Sequence, residues 1–347
     1  AGSVALLFAG LGIQSSVAGV PSRQFQQIQQ YQMIVSENPS ATNQDKAELE
    51  EVLKGKDIQV YQKIYSKTLD KDFKGKTGLQ TITLMMTDKE DLTPFIHLQN
   101  HQQELTLKDG VVITAKLAQL AGAKVGESLE IEGKELKVAA ITENYVGHFI
   151  YMSQASYEQI YGQVPQANTY LVSLRDTSAS SIERQAGLLM NQSAVSSVVQ
   201  NASAIRLFDS VASSLNQTMT ILVIVSVLLA IVILYNLTNI NVAERIRELS
   251  TIKVLGFHSN EVTLYIYRET IVLSLVGIVL GLVTGFYLHQ FLIQMISPAT
   301  ILFYPQVGWE VYVIPVTAVS IILTLLGFFV NRHLRKVDML EALKSVE

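Results

Sequence analysis

Three uninterrupted apolar runs occupy the last third of the chain, at residues 219–237, 270–290 and 311–330. Each is close to the ~20 residues that carry a helix across ~30 Å of hydrocarbon. None contains Asp, Glu, Lys or Arg. A fourth run, Val4 to Ile13, starts almost at residue 1 without a basic flank. That disfavours a secretory signal and reads as a transmembrane helix cut by the start of the sequence. Between Gln24 and about Leu215 the pattern turns polar, with short alternating stretches expected as strands at 31–36, 58–65, 80–87, 111–114, 128–131, 135–142, 169–174 and 194–199. Glu132-Gly133 fits a tight hairpin turn. Segments 43–54, 115–121 and 181–190 carry the helical period instead.

After the last of these strands, Ile205, Leu207, Phe208, Val211 and Leu215 recur at helical spacing, and no Gly or Pro precedes the second apolar run. One helix is therefore expected to run from the polar domain into the membrane, and to continue through a bend at 236–241. The expected fold is an α-helical membrane domain of four spans, the first truncated, with an α+β extracytoplasmic domain inserted between spans one and two. In residue numbers this gives a truncated first span (1–20), the α+β domain (21–201), a stalk helix (202–218) and span two (219–237). A coupling region (238–269), span three (270–290), span four (311–330) and a cytoplasmic tail (331–347) follow.

Composition supports this division: 49% of the 347 residues are hydrophobic and only 16% charged, too apolar for an ordinary water-soluble domain. The net charge of −4 and the lack of a basic run interleaved with aromatics argue against nucleic acid as a partner. No cysteine is present, which excludes disulfides, thiolate metal sites and cysteine nucleophiles. Orientation follows from basic residues near the span ends. Arg245, Arg247, Lys253 and Arg268 lie in the 238–269 loop and Arg332, Arg335, Lys336 and Lys344 in the tail, whereas the 291–310 connection has no Lys or Arg. The first two are expected in the cytoplasm. The large domain then lies outside, with Tyr304, Trp309 and Tyr312 at the outer interface.

The segment 236–256 stands out between two spans. Glu244, Arg245, Arg247, Glu248 and Lys253 supply charge, while Val242, Ile246, Leu249, Ile252 and Leu255 recur at helical spacing. Such a helix can seat an apolar stripe and offer its charges to a partner. A solvated helix face is the plain alternative, and on it Glu244 and Glu248, four residues apart, repel each other.

Catalytic patterns fail. Gly75-Lys76-Thr77 resembles the end of a phosphate-binding loop, but position 70, where that loop needs Gly, is Asp. His97 and His101 stand four apart, yet Leu98 takes the place of the catalytic Glu of a zinc-protease helix. No metal site and no catalytic residue is assigned, and ATP hydrolysis is expected in a separate subunit. Gly277, Gly281 and Gly285 form a small-residue ridge along the third span that lets another helix approach closely.

The run Ala243-Glu244-Arg245-Ile246-Arg247-Glu248-Leu249, then Ile252-Lys253-Val254-Leu255-Gly256, with Tyr267-Arg268-Glu269 at a span entrance, resembles the FtsX-like permease domain of MacB-type ABC transporters. The closing segment Lys336–Lys344 is similar to the end of that domain. The stretches Gly110–Ala118 and Lys124–Glu127 look like its extracytoplasmic core. The opening residues resemble the start of the second half of large two-repeat Gram-positive permeases.

The resemblance implies a permease subunit in which cytoplasmic ATPase cycles move an outer domain by mechanotransmission, for export or extraction of a peptide, lipid-linked or antimicrobial substrate. The FtsX-like alternative activates a cell-wall hydrolase without transport. Implied partners are a cytoplasmic ABC ATPase dimer that binds ATP and Mg, a second permease half upstream or as a second copy, an exported adaptor, and the lipid bilayer. No cofactor is implied in this chain itself. Contacts with the ATPase would fall on Glu244, Arg245, Arg247, Glu248, Lys253 and Gly256, with the segment 338–343 as a second contact.

Overall fold

The computed structural model describes residues 1–73, 78–88, 92–108, 110–244, 259–304 and 306–336. In chain order the elements are helix α1 (Gly2–Ala18), the short α2 (Val20–Ser22), a π-helical turn (Arg23–Ile28), β1 (Met33–Glu37), α3 (Asn43–Leu53), β2 (Ile58–Phe73) and β3 (Gly78–Thr87). Next come β4 (Gln99–Asn100), β5 (Gln103–Glu104), β6 (Val111–Thr114), α4 (Ala115–Ala121), β7 (Ser128–Ile131), β8 (Lys134–Thr142) and β9 (His148–Ser153). The remainder is α5 (Gln154–Tyr161), β10 (Thr169–Leu174), α6 (Ala179–Met190), β11 (Val195–Gln200), α7 (Asn201–Glu244), α8 (Ser259–Ile296) and α9 (Glu310–Lys336). By contacts the chain forms two units: a helical one of Ala1–Ala18, Ser213–Ile296 and Pro305–Glu347, and an α/β one of Gly19–Ala212 and Ser297–Tyr304.

The α/β unit is built on a nine-stranded mixed sheet in the order β11-β1-β10-β2-β3-β9-β6-β8-β7. From β11 to β3 every pairing is antiparallel, whereas β3–β9 and β6–β8 are parallel. Strand β2 runs for 16 residues and serves two cores. Its start gives Ile58 to a core with Met33, Leu49, Leu53, Val172 and Leu189, under α3 and α6. Its far end gives Leu69 and Phe73 to a second core with Ile82, Ile113, Leu117, Leu136 and Ile150, under α4 and α5.

Local chemistry sets the boundaries. Thr42 caps α3 by accepting from the Asp45 amide at 3.2 Å, while the Asp45 carboxylate accepts from the Thr42 amide at 2.8 Å. This reciprocal box satisfies two otherwise orphaned donors. Ser153 and Ser178 accept from the Ser156 and Ser181 amides at the starts of α5 and α6. At the β7–β8 hairpin Glu132 and Gly133 have φ of 49° and 73°, the two positive values a type I′ turn requires. A buried ionic cluster ties β1 to its neighbours: Glu37 pairs with Lys63 and accepts from the Tyr170 hydroxyl at 3.0 Å, with Lys46 at 3.8 Å.

Most expected elements are present within a few residues of their expected limits, with β2 eight residues longer than its expected 58–65. The sequence reading omitted β9 and α5, so the α/β unit has more helices than the three expected. His97 and His101 lie on no helix: His97 precedes β4, and His101 sits in the β4–β5 turn at φ 46°. Their spacing therefore does not have the helical geometry of a zinc pair. Gly75-Lys76-Thr77 lies outside the described residues.

Among the described residues, four helices are long and apolar enough to cross a bilayer: Gly2–Ile28, Asn201–Glu244, Tyr267–Ile296 and Glu310–Arg332. Val4, Ala230, Leu234, Ile278, Val319 and Ile322 form their shared interior. Ile224, Leu228, Val279 and Phe329 are among many large apolar side chains that face outward, as lipid-facing residues do. Helix α7 is continuous from Asn201 through Glu244 and stays helical over 236–241.

Two substitutions in α3 separate cap from core. Thr42→Ala is expected to destabilise the α/β unit by about 1 kcal/mol through loss of the cap. Leu49→Ala, at a fully buried position, is expected to cost about 2–5 kcal/mol. Pulse proteolysis of the full chain across a urea series reads both.

Candidate functional site

The charged segment between α7 and α8 was the leading coupling candidate in the sequence. Glu244 is the last residue of α7 and is exposed. Arg245, Arg247, Glu248, Lys253 and Gly256 lie outside the described residues, as do Ile246, Leu249, Ile252, Leu255 and the segment 338–343. Beside this gap, Asn241 Nδ2 of α7 donates to Thr270 Oγ1 of α8 at 3.1 Å. Tyr267 is buried on α8, and a Cβ added at Gly327 of α9 would meet its ring at 3.4 Å.

The glycine ridge of α8 packs on α1. A Cβ at Gly281 would stand 2.6 Å from Val4 Cβ, and one at Gly285 would stand 2.7 Å from Phe8 Cβ and 3.1 Å from Ala5 Cα. Gly277 is looser, its nearest neighbour at 3.4 Å being the Ala1 backbone nitrogen. One further turn along α8, His289 continues the same four-residue period. It is fully buried and lies 3.0 Å from Ser16 Oγ of α1. Gly12 makes room for the ring, since a Cβ there would meet His289 Cδ2 at 2.7 Å. On another side α1 is held to α7: Gln14 Nε2 donates to the Asn216 carbonyl and Thr220 Oγ1, both at 3.2 Å. Phe8 meets Tyr312 of α9 edge-on with ring centroids 5.0 Å apart. Gly12, Gln14, Ser16 and His289 were not singled out in the sequence. The signal was there, since His289 extends the glycine ridge and a His inside an apolar span is itself unusual.

Within the α/β unit, the segment Ser297–Tyr304 between α8 and α9 is paired with the loop ahead of β9. Gly147 N donates to the Thr300 carbonyl at 2.8 Å, Leu302 N to the Tyr145 carbonyl at 2.8 Å, and Val146 bridges Ile301 antiparallel. Gln24, fully buried in the π-helical turn, organises the partner loop. Its Oε1 accepts from the Tyr145 amide at 2.7 Å, and its Nε2 donates to Asn144 Oδ1 at 2.8 Å. Arg23 stacks its guanidinium 3.4 Å from the centre of the Tyr304 ring, which in turn meets Tyr145 edge-on at 6.0 Å. Tyr304 thus has protein on at least two sides. Trp309 is 70% exposed.

The same clip carries buried titratable groups. Lys116, in the first turn of α4, donates to Ser297 Oγ at 3.3 Å. Burial lowers its pKa. His148 is buried with neither ring nitrogen hydrogen-bonded among the described residues. Burial, and then the neighbouring Lys116 charge, lower its pKa below 6.5. The Tyr145 hydroxyl is pushed up to about 12, chiefly by burial. Among the described residues no group of three His, Asp or Glu side chains is placed to hold a metal ion.

Four candidate spans with one large α/β domain between the first two define a class of polytopic membrane protein. Within that class, residues 220–339 match the family model described as FtsX-like permease C-terminal. Among solved structures the chain is similar to the periplasmic region of MacB from Actinobacillus actinomycetemcomitans. That match has 10% identity and a TM-score of 0.30, covering 52% of this chain and 94% of that one. It is also similar to the extracellular domain of the noncanonic ABC-type transporter YknZ from Gram-positive bacteria, at 15% identity and a TM-score of 0.29, over 49% of this chain and 98% of that one. No curated protein matches by sequence.

Two outcomes follow. Gly285→Val is expected to destabilise the helical unit by about 1–3 kcal/mol by overpacking, whereas Gly277→Ala is tolerated; the fluorescence of Trp309, the single tryptophan, follows thermal unfolding of both. For pH, the folded state holds His148 neutral below its ordinary 6.5, so the unfolded chain takes up a proton first as pH falls. Stability of the α/β unit is therefore full above about 6.5 and is lost as pH falls towards the lower folded value. Pulse proteolysis at pH 7.5 and pH 5 should show that loss, and His148→Phe should reduce it.

Proposed function

We propose that the chain is the permease part of an ABC transporter complex in which ATP hydrolysis by a separate cytoplasmic subunit moves the α/β domain on the far side of the membrane. The observation that carries this reading is the 44-residue helix α7. It begins directly after strand β11 of the α/β unit, enters the region matched to the FtsX-like family, and ends at Glu244, where the charged segment starts. A helix satisfies its own backbone hydrogen bonds and so transmits displacement along its axis with little local give.

Topology supports the orientation. Crossing the membrane with α1, α7, α8 and α9 in turn puts the α/β domain and the 297–304 connection on one side, and the 238–269 segment and the tail on the other. Pairing of Ser297–Tyr304 with the loop before β9 agrees with that arrangement. Basic residues concentrate on the opposite side, which makes it the cytoplasm. In this reading Glu244, Arg245, Arg247, Glu248 and Lys253 contact the ATPase, and Gly256 ends the contacting segment. ATP and Mg belong to the ATPase dimer. A second permease half, upstream or as a second copy, completes the assembly, and the membrane is a bacterial cell membrane. The cargo is a peptide, lipid-linked or antimicrobial molecule, exported or extracted.

Charge reversal tests the contact. The double substitution Arg245→Glu with Arg247→Glu is expected to weaken association with the ATPase at least about tenfold, as for loss of paired interfacial charges, and to abolish stimulation of hydrolysis. Pull-down and phosphate release measure the two effects. Unchanged association would remove this segment as the receiving element.

A further inference from the structure

The α/β unit contains a groove of about 620 Å³, within the ~300–1,000 Å³ range of ligand sites. Its walls come from the π-helical turn that follows α1, the start of β2, the end of β10 and the first turns of α7. Among the described residues, no Asp, Glu, Lys, Arg or His lines it. Instead the exposed residues Gln26, Gln30 and Gln59 line it together with the apolar Phe25, Val60 and Ile205.

The groove is held open by hydrogen bonds spent elsewhere. Asn201 Nδ2 donates to the Tyr31 carbonyl at 2.6 Å and Asn201 N to the Gln32 carbonyl at 3.0 Å, fixing the start of α7. Gln32 bridges the wall, its Nε2 donating to the Gln30 carbonyl at 3.1 Å and its Oε1 accepting from Leu174 N at 2.8 Å. A primary amide both donates and accepts, which matches the alternating N–H and C=O groups of an extended peptide. The described lining offers no ionic partner to an occupant, so an uncharged one loses nothing by binding here, while a charged one gains no pairing for the hydration it gives up.

We infer that this groove binds an uncharged peptide segment in extended form. An occupant would touch Phe25 and Gln26 beside α1 and Ala202 and Ile205 in α7, the two segments by which the domain leads into the first two membrane helices. Binding rests on the groove alone. Its effect on hydrolysis rests in addition on the proposed ATPase coupling.

The experiment uses the full chain in lipid nanodiscs, dialysed against a mixture of N-acetylated, C-amidated hexapeptides made only of neutral residues, with retained peptides read by mass spectrometry. Parallel dialyses use hexapeptides carrying one Lys or Glu, and neutral hexasaccharides. Neutral peptides should be retained over the charged set. Gln59→Ala should reduce retention about three- to tenfold, the loss of one or two hydrogen bonds. Ala202→Trp, which fills the groove, should reduce it to background, and Gln59→Trp at an exposed strand position serves as a second block should the first fail to fold. Absence of retention, retention unaffected by these substitutions, or retention of the saccharides in place of peptides overturns the site. A second arm measures phosphate release by the chain reconstituted with its ATPase. Retained peptide that leaves hydrolysis unchanged overturns the coupling while the site stands, and altered hydrolysis in the wild type but not in Ala202→Trp supports both.

Discussion

Helices α1 and α8 approach almost backbone to backbone, because Gly12, Gly281 and Gly285 remove the side chains that would hold them apart. In a bilayer lipid tails are as apolar as leucine, so no hydrophobic gain drives helices together and close van der Waals packing has to do it. The added polar contact between Ser16 and His289 sits in the same seam and fixes its register. From this contact the rest of the helical unit is arranged. Helix α1 also takes α7 through Gln14 and α9 through Phe8, so the first helix of the chain is the one around which the others are placed.

That arrangement gives the α/β domain several covalent ties to the membrane helices. Helix α1 leads into it through the turn that carries Gln24, α7 leaves it at Asn201, and α8 and α9 are joined by Ser297–Tyr304, which pairs with the domain's own loop. Three of these ties meet in two side-chain clusters. Gln24 and Arg23 organise the loop and Tyr304 that hold the clip, and Asn201 is bonded to Tyr31 and Gln32, which lead from the same turn into β1.

Much of this was legible in the sequence because it rests on local rules. Capping at Thr42, the Glu132-Gly133 turn and the apolar spans are written in neighbouring residues, and so is the α8 glycine ridge. Strand β9 was missed because His148–Ser153 is buried at every position but Phe149, between β3 and β6 with one pairing parallel, and so shows no polar alternation. Helix α5 spans only eight residues, too few for a clear period. The 297–304 clip and the amide groove depend on residues more than a hundred positions apart, which no local pattern reveals. The coupling candidates from Arg245 to Gly256 lie outside the described residues, within the stretch 220–339 that matches the FtsX-like permease model.

The central claim is that movement passes along α7 between the charged segment and the α/β domain. Because the chain has no cysteine, single cysteines at Glu135 in β8 and Tyr287 in α8, both exposed, can carry spin labels without background. The decisive measurement is the distance between them by pulsed electron resonance, in the complex reconstituted with its ATPase, before and after ATP. An ATP-dependent change that disappears when a short flexible glycine segment is inserted after Ser214, with hydrolysis retained, is the result expected. A change of the same size in the interrupted helix would contradict the claim.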